Sequence, residues 1–377
     1  MSVMLSHPHP PARPLFLGSS SSEEDTKTLN PPDFLLEQAV EAKLQAAIAL
    51  AGTLQLPCFP ALATRYEALI VEFLTLLGQA PSPEERSQLR QQLTETLTQG
   101  FEPSPRRYLN LSYQLVNPDQ GIAGGIGLKM SLTSPPEAQR SFALANQSRF
   151  GCYPDAKAMT LAAGLGEAAE VSVLDIGAGI GRNSLPLAKR GHPVAAVVTN
   201  PEAGRQLQEM ADSRHLSVTL FGGDFLDHPE VTGDYRLAIA PEVLPHLRSP
   251  QAMTEFFRQS RRVLHPAGRL LVGAFLAQPG YSPKTAVREL AQACGCSFLT
   301  PSELQEILER VGWRLQSQEL VVAYESCHLP AAAWPPSDSF LAWATGEELF
   351  PGLVTPPVAF YWLCCVREDN PSKADGA

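Results

Sequence analysis

The spacing of apolar residues changes along the chain, and each change marks a different part of the predicted fold. Within residues 31–100, apolar side chains recur every three or four positions, which is typical of amphipathic helices. These helices are expected over residues 31–47, 59–78 and 83–100. Between Tyr108 and Thr133 the period becomes two, and a turn sequence interrupts it at residues 117–121. This alternation predicts a β-hairpin, and a further helix is expected at 137–147.

Beyond residue 150, short apolar runs alternate with helical patterns. The runs lie at residues 171–176, 192–199, 216–221, 235–240 and 270–275. Strands that alternate with helices predict a parallel sheet with helices packed on its faces. A helix and a strand are expected within residues 302–322, and a last strand at 358–367. The predicted fold class is therefore α/β.

The first of these runs leads into a glycine-rich turn. Residues 171–187 read VSVLDIGAGIGRNSLPL, in which Asp175 precedes glycines at positions 177, 179 and 181. Glycine lets the backbone turn sharply and lets a ligand lie against bare peptide groups, while the next helix begins with unpaired N–H groups. A strand, a glycine turn and a helix in this order are typical of a nucleotide-binding α/β fold.

The spacing of the glycines separates two kinds of nucleotide site. Dinucleotide-binding dehydrogenases carry GxGxxG and an acidic residue about 20 positions later. Here the pattern is GxGxG, and the acidic residue Asp175 stands two positions before the first glycine. This form resembles motif I of the class I S-adenosylmethionine (SAM)-dependent methyltransferases. Its continuation, GRNSLPLAKRGHPV, is most similar to the branch that includes tellurite and thiopurine methyltransferases.

Later segments strengthen this resemblance because they follow in the family's order. Residues 241–246 resemble the EVLxH segment beside the family's active site, and residues 262–270 resemble the turn before its fifth strand. The resemblance implies a Rossmann-like, seven-stranded methyltransferase sheet that ends in an antiparallel strand, with SAM as the cofactor. It implies that Asp224 and Phe225 lie at the adenine. The other residues that it assigns to the cofactor are Asp175, Gly177, Ala178, Gly179, Gly181, Asn183 and Pro241.

One position departs from the family's pattern. The family normally has Asp or Glu at the end of the second strand, where it binds both ribose hydroxyls, and this chain has Val198 there. Hydrogen bonds to a charged group contribute about 1.5–3 kcal/mol each. We expect Asn200 to bind the ribose instead, with Glu202 as the alternative. A competing hypothesis is a catalytically silent protein with the same fold that acts in binding or assembly.

Two residues of the EVLxH-like segment are candidates for acid–base chemistry. Methyl transfer is an in-line displacement, so a general base is needed only where the nucleophile arrives protonated. Glu242 and His246 are four positions apart and would share one face of a helix, and a histidine titrates near neutrality. The competing interpretation is a structural pair. The predicted acceptor is an O, N or S nucleophile of a small molecule or a protein side chain.

Composition restricts the partners and the compartment. The 377 residues carry a net charge of −10 and no basic stripe, which argues against nucleic acid and against an anionic membrane surface. No apolar run reaches the ~20 residues of a membrane span, and we find no secretory signal. The seven cysteines match no metal-binding spacing, so we expect reduced thiols in a cytoplasmic protein without a metal site.

The chain is longer than one methyltransferase core, so a second domain is expected. That domain would help to form the substrate site. The predicted organisation is a disordered tail at 1–29, a helical and β-hairpin domain at 30–150, a methyltransferase domain at 151–368 with an insertion at about 327–357, and a disordered tail at 369–377.

Overall fold

The computed structural model describes residues 51–116, 125–134, 149–228 and 230–368. The helices expected at 31–47 and 137–147, and the tails expected at 1–29 and 369–377, lie outside the described residues. Residues 50–377 form one compact unit.

The first part of this unit is a small three-stranded antiparallel sheet with two helices. The strands are β1 (Ala51–Pro57), β2 (Tyr108–Leu115) and β3 (Ile126–Thr133), and the helices are α1 (Ala63–Leu76) and α2 (Pro83–Phe101). Strands β2 and β3 form a hairpin, whereas β1 was not anticipated. Helix α2 begins with a capping box in which Ser82 and Glu85 bond each other's backbone N–H groups.

A second, mainly parallel sheet forms the centre of the remaining chain. Its strands are β4 (Val173–Ile176), β5 (Val194–Val198), β6 (Val218–Gly222), β7 (Tyr235–Ala240), β8 (Leu264–Ala277), β9 (Phe298–Leu299), β10 (Trp313–Leu320) and β11 (Val358–Arg367). Their order is β10-β11-β8-β7-β4-β5-β6, and the two-residue strand β9 pairs with β8. Strand β11 is antiparallel to both of its neighbours. The predicted α/β class is confirmed, and the described sheet has eight strands rather than the seven expected because β9 is added.

Helices cover both faces of this sheet. They are α3 (Ala156–Gly164), α4 (Ser184–Lys189), α5 (Pro201–Ser213), α6 (Pro250–Val263), α7 (Thr285–Ala293), α8 (Pro301–Val311), α9 (Val321–His328) and α10 (Asp338–Ala344). One hydrophobic core includes buried residues of α6 and α8, and another includes buried residues of α3, α9 and α10. Among the described residues, no helix combines the length and apolar character that crossing a membrane requires.

The segment expected as an insertion packs into the second core through aromatic rings. Phe340 and Trp343 of α10 lie 5.1 and 5.8 Å from Phe150, measured between ring centroids. Phe150 is only 3% exposed. The aromatic residues of α10 therefore anchor the segment in the core, while residues 351–355 are exposed.

The start of α3 is held by a residue from far along the chain. The carboxylate of Glu325 accepts hydrogen bonds from the backbone N–H groups of Ala156 and Lys157, at 2.8 and 3.2 Å. The same carboxylate accepts a bond from the indole of Trp362 at 2.9 Å. Glu325 thereby accepts hydrogen bonds from the first N–H groups of α3. In most helices a side chain at the start of the same helix has this role.

Three side-chain contacts attach the small sheet and its helices to the larger one. Glu289 on α7 accepts bonds from the N–H of Ala61 at 3.2 and 3.0 Å. Arg248 donates to the carbonyl groups of Phe101 and Glu102 at 2.7 and 2.6 Å. The Nε of Arg106 donates to the carbonyl of Ala293 at 3.0 Å. These contacts bring residues of the small sheet region to α7 and to the residue Arg248 before α6.

Candidate functional site

The glycine turn follows β4 at the carboxyl edge of the parallel strands. The N–H groups of Gly177 and Ala178 both donate to the carbonyl of Val197 at 3.0 Å, which ties the turn to strand β5. Gly179 has a φ of +54°, and a Cβ placed on it would meet no atom within 4 Å. At Gly181, by contrast, a Cβ would overlap the side chain of Leu207. The open side of the turn is therefore at Gly179, and Gly181 is required for packing.

Asp175 is buried beneath this turn. Its carboxylate accepts a hydrogen bond of 2.6 Å from the hydroxyl of Ser184, the first residue of α4. Burial raises the pKa of Asp175 to about 6, although the Ser184 bond and the charge of Arg182 oppose this. Asp175 thus connects the end of β4 to the start of α4 and does not face the open side.

This burial predicts a specific pH dependence of stability. The pKa of Asp175 is raised from 3.8 to about 6, so the folded state binds this proton more tightly than the unfolded state and loses stability as pH rises through that window. The gap corresponds to about 3 kcal/mol. Asp175→Asn should therefore remove most of this fall in the unfolding free energy, measured with urea between pH 4 and 7. The control is Asp227→Asn, because Asp227 is exposed. A pH profile of stability that does not change in Asp175→Asn would contradict the raised pKa of Asp175.

Asn183 lies beside Asp175 and serves the segment that enters the site. Its side-chain oxygen accepts a bond from the N–H of Asp155, and its amide donates to the Asp155 carboxylate, both at 2.8 Å. Asn183 is 4% exposed. The structure therefore gives Asn183 a positioning role between the glycine turn and the residue preceding α3.

Arg182 is the centre of the charged network around the turn. Its guanidinium bonds both carboxylate oxygens of Asp155, at 2.6 and 3.0 Å, and approaches Glu242 at 3.4 Å. It also lies 4.8 Å above the ring of Phe150. The sequence-based list of candidates omitted both Arg182 and Asp155. The position of Arg182 directly after the last glycine of the motif is the feature of the sequence that could have identified it.

The EVLxH-like segment is a short turn instead of an α-helix. A 3-10 helix covers Leu244–His246, and no hydrogen bond joins Glu242 to His246 in the described structure. The Glu242 side chain is 39% exposed. Desolvation raises the pKa of Glu242 and lowers the pKa of His246, which the charges of Arg106 and Arg149 lower further. Pro241, which precedes them, is buried.

The end of β5 does not present Val198 to the open side. Val198 is 2% exposed and belongs to an apolar cluster with Ala178 and Leu207. Asn200, two residues later, is exposed and begins helix α5, where its side-chain oxygen accepts bonds from the N–H groups of Glu202 and Ala203. Its amide group makes no hydrogen bond within the described residues. Asn200 therefore has a free donor at this edge.

At the end of β6, only one of the two residues that the resemblance assigns to the adenine is exposed. Asp224 is exposed, and its carboxylate accepts a bond of 3.0 Å from the N–H of Leu226. Phe225 is buried instead, 5.9 Å from Phe256 between ring centroids. Leu226 is partly buried and is the more accessible apolar neighbour of Asp224. The assignment of Phe225 to the adenine stays a prediction, with Leu226 as the neighbour that lies nearer the surface.

The open side of Gly179, the exposed residues Asn200 and Asp224, and the half-buried Glu242 all follow parallel strands. They lie after β4, β5, β6 and β7, which are neighbours in the sheet. Ligands of open α/β sheets bind in the crevice outside the carboxyl ends of the strands. Residues 173–268 match the family model described as a methyltransferase domain. The matched segment contains the glycine turn and every residue that the sequence predicted for the cofactor and for catalysis.

No curated protein matches the chain. Several solved structures are similar to it. One is a TehB-like SAM-dependent methyltransferase from Corynebacterium glutamicum, 17% identical over 62% of this chain and 95% of that chain, with a TM-score of 0.37. Another is the CcbJ methyltransferase from Streptomyces caelestis, 18% identical over 57% and 90%, with a TM-score of 0.40. A third is a geranyl diphosphate C-methyltransferase from Streptomyces coelicolor, 16% identical over 56% and 78%, with a TM-score of 0.43.

Proposed function

We propose that the protein transfers a methyl group from SAM to an O, N or S nucleophile of a small molecule or a protein side chain. The observation that carries the proposal is the open side of the glycine turn at Gly179, within a segment that matches a methyltransferase domain. When bound, SAM supplies an electrophilic methyl group on its sulfonium. The chain's part is to bind and orient both reactants and to exclude water.

The exposed groups at this edge fit the polar parts of SAM. The turn from Gly177 to Gly179 would receive the methionine part against bare backbone. The amide of Asn200 would donate to the ribose in place of the acid missing at Val198, and the Asp224 carboxylate would accept from the adenine amino group. Asp175, Asn183, Phe225 and Pro241 are buried, so we assign them to the support of these groups.

The two candidate acid–base groups have different environments. The pKa of His246 is lowered, so its imidazole is neutral at pH 7 and can accept a proton from a hydroxyl or thiol. The pKa of Glu242 is raised by desolvation, and Arg182 opposes this rise. We therefore assign the proton-accepting role to a ring nitrogen of His246. Glu242 would orient the acceptor.

Calorimetry with SAM and with NAD tests the function directly. Micromolar binding of SAM without binding of NAD supports the proposal. Binding of neither supports the alternative, a silent binding or assembly protein, and binding of NAD alone would contradict the SAM assignment. Mass spectrometry of a knockout strain against wild type, searching for a missing methyl mark on proteins and metabolites, then identifies the acceptor.

A substitution at the end of β6 tests the proposed adenine contact. Asp224→Ala should weaken SAM binding by roughly 1–3 kcal/mol because it removes a charge-assisted hydrogen bond. The matched control is Asp227→Ala, since Asp227 is an exposed carboxylate three residues later in the same turn. Calorimetry measures the dissociation constant of SAM for both variants. Equal affinities in both variants would place the adenine elsewhere.

We propose a methyltransferase domain over residues 151–368, preceded by a domain over 30–150 that contributes to the substrate site. We also propose that the protein acts in the cytoplasm and uses no metal.

A further inference from the structure

An arginine from the small sheet region reaches the wall of the candidate cleft. Arg106 follows α2, and the bond from its Nε to the carbonyl of Ala293 fixes the direction of its guanidinium. Its Nη2 lies 3.6 Å from the position that a Cβ on Gly295 would occupy, and the Cε1 of His246 lies 3.4 Å from the same point. Arg106 and the proposed base therefore approach the same point beside Gly295.

Arg106 differs from the two other arginines around this cleft. Arg182 is neutralised by Asp155, and Arg149 bonds both oxygens of Glu348 at 2.6 and 3.3 Å. No acidic side chain among the described residues pairs with Arg106, and its two Nη groups donate to no described atom. An exposed cation with a fixed orientation and free donors is thus available next to His246.

The charge of Arg106 also acts on His246. It is one of the groups that lower the pKa of this histidine, together with desolvation and Arg149. A positive charge beside a proton acceptor works against proton transfer to it. An anionic group bound at Arg106 would remove this disadvantage, because it would offset the guanidinium charge.

We propose that the methyl acceptor carries a carboxylate or phosphate group, and that the two Nη groups of Arg106 bind it while the nucleophile faces His246. This inference rests on the proposed methyltransferase function. The free edge of a guanidinium presents two parallel N–H donors, which match two oxygens of a carboxylate or phosphate. Arg106 would then be a substrate-binding residue supplied by the part of the chain that precedes the methyltransferase domain.

The titration of His246 reports this site without knowledge of the acceptor. Full-length protein with ¹³C-labelled histidine would be titrated by NMR, alone and with malonate or inorganic phosphate, and His246→Gln would assign its signal. Either anion should raise the pKa of His246 saturably in the wild type. Arg106→Gln should raise the pKa of His246 without any anion and weaken anion binding about ten-fold or more.

The neighbouring residue provides the control. The charge of Arg107 acts on buried Cys58 instead of His246, so Arg107→Gln should keep the anion response of the wild type. If malonate saturates the shift in the pKa of His246 at a lower concentration than phosphate does, the site prefers a carboxylate. If phosphate saturates it at the lower concentration, the site prefers a phosphate. No response to either anion, or an equal response in Arg106→Gln, overturns the proposal. Calorimetry with SAM separates the two claims, because binding of SAM without an anion response leaves the methyltransferase function intact.

Discussion

Replacing Arg182 with methionine should destabilise the protein by about 3–5 kcal/mol at neutral pH, the typical cost of leaving one partner of a buried ion pair alone. Arg182 and Asp155 are 12% and 2% exposed as side chains, and two hydrogen bonds of 2.6 and 3.0 Å join them. Methionine keeps much of the aliphatic volume but leaves the Asp155 carboxylate buried without its cation. Urea unfolding followed by circular dichroism measures the loss.

Arg205 provides the comparison for this effect. It pairs with Glu202 and Glu209 on helix α5, but its side chain is 57% exposed. Exposed pairs contribute about 0–1 kcal/mol, so Arg205→Met should remain within about 1 kcal/mol of the wild type. Equal losses in the two variants would show that the Arg182 network does not organise the glycine turn.

The second large effect is expected at Gly179, where valine should abolish SAM binding in a folded protein. The Cβ and its two methyl groups would occupy the open side of the turn, where the proposal places the cofactor against the backbone. A φ of +54° also disfavours a β-branched residue, so a stability loss of roughly 1–3 kcal/mol accompanies the change.

Gly191→Val separates strain from lost contact. Gly191 has a φ of +94°, and its nearest Cβ neighbour would be at 3.9 Å, so valine meets similar backbone strain there. It precedes β5, at the opposite edge of the sheet from the glycine turn. Gly191→Val should lose stability but keep the affinity of the wild type for SAM in calorimetry. Wild-type affinity in a folded Gly179→Val would disprove the cofactor assignment of this turn.

The parallel sheet could be predicted from the sequence because its signals are local. Each strand is a short apolar run, and the glycine turn, the proline-started helices and the alternation of the hairpin need only a few neighbouring residues to be visible. Strand β1 had no such signal. It becomes a strand by pairing with β2, and Thr53 meets Ser112 across 59 positions of sequence.

The candidate site likewise depends on contacts between residues that are far apart in the sequence, which local patterns do not reveal. The positions of Asn200 and Asp224 at strand ends could be predicted, but the pairing of Arg182 with Asp155 across 27 positions could not. Helical spacing suggested that Glu242 and His246 share a face. Pro245 lies between them in a 3-10 turn, so the spacing rule for α-helices does not apply. Burial of Val198 and Phe225 likewise depends on which helices cover the strand ends.

The contact between Glu325 and the start of α3 determines when α3 can reach its final structure during synthesis. The hydrogen bond from Ala156 spans 169 positions, so α3 leaves the ribosome long before the carboxylate that completes its first turn. At about 5–20 residues per second, the delay is roughly ten to thirty seconds. During that time the segment that carries Asp155 into the glycine turn has only part of its final hydrogen bonds. A nascent chain that ends before Glu325 therefore lacks the carboxylate that completes the first turn of α3.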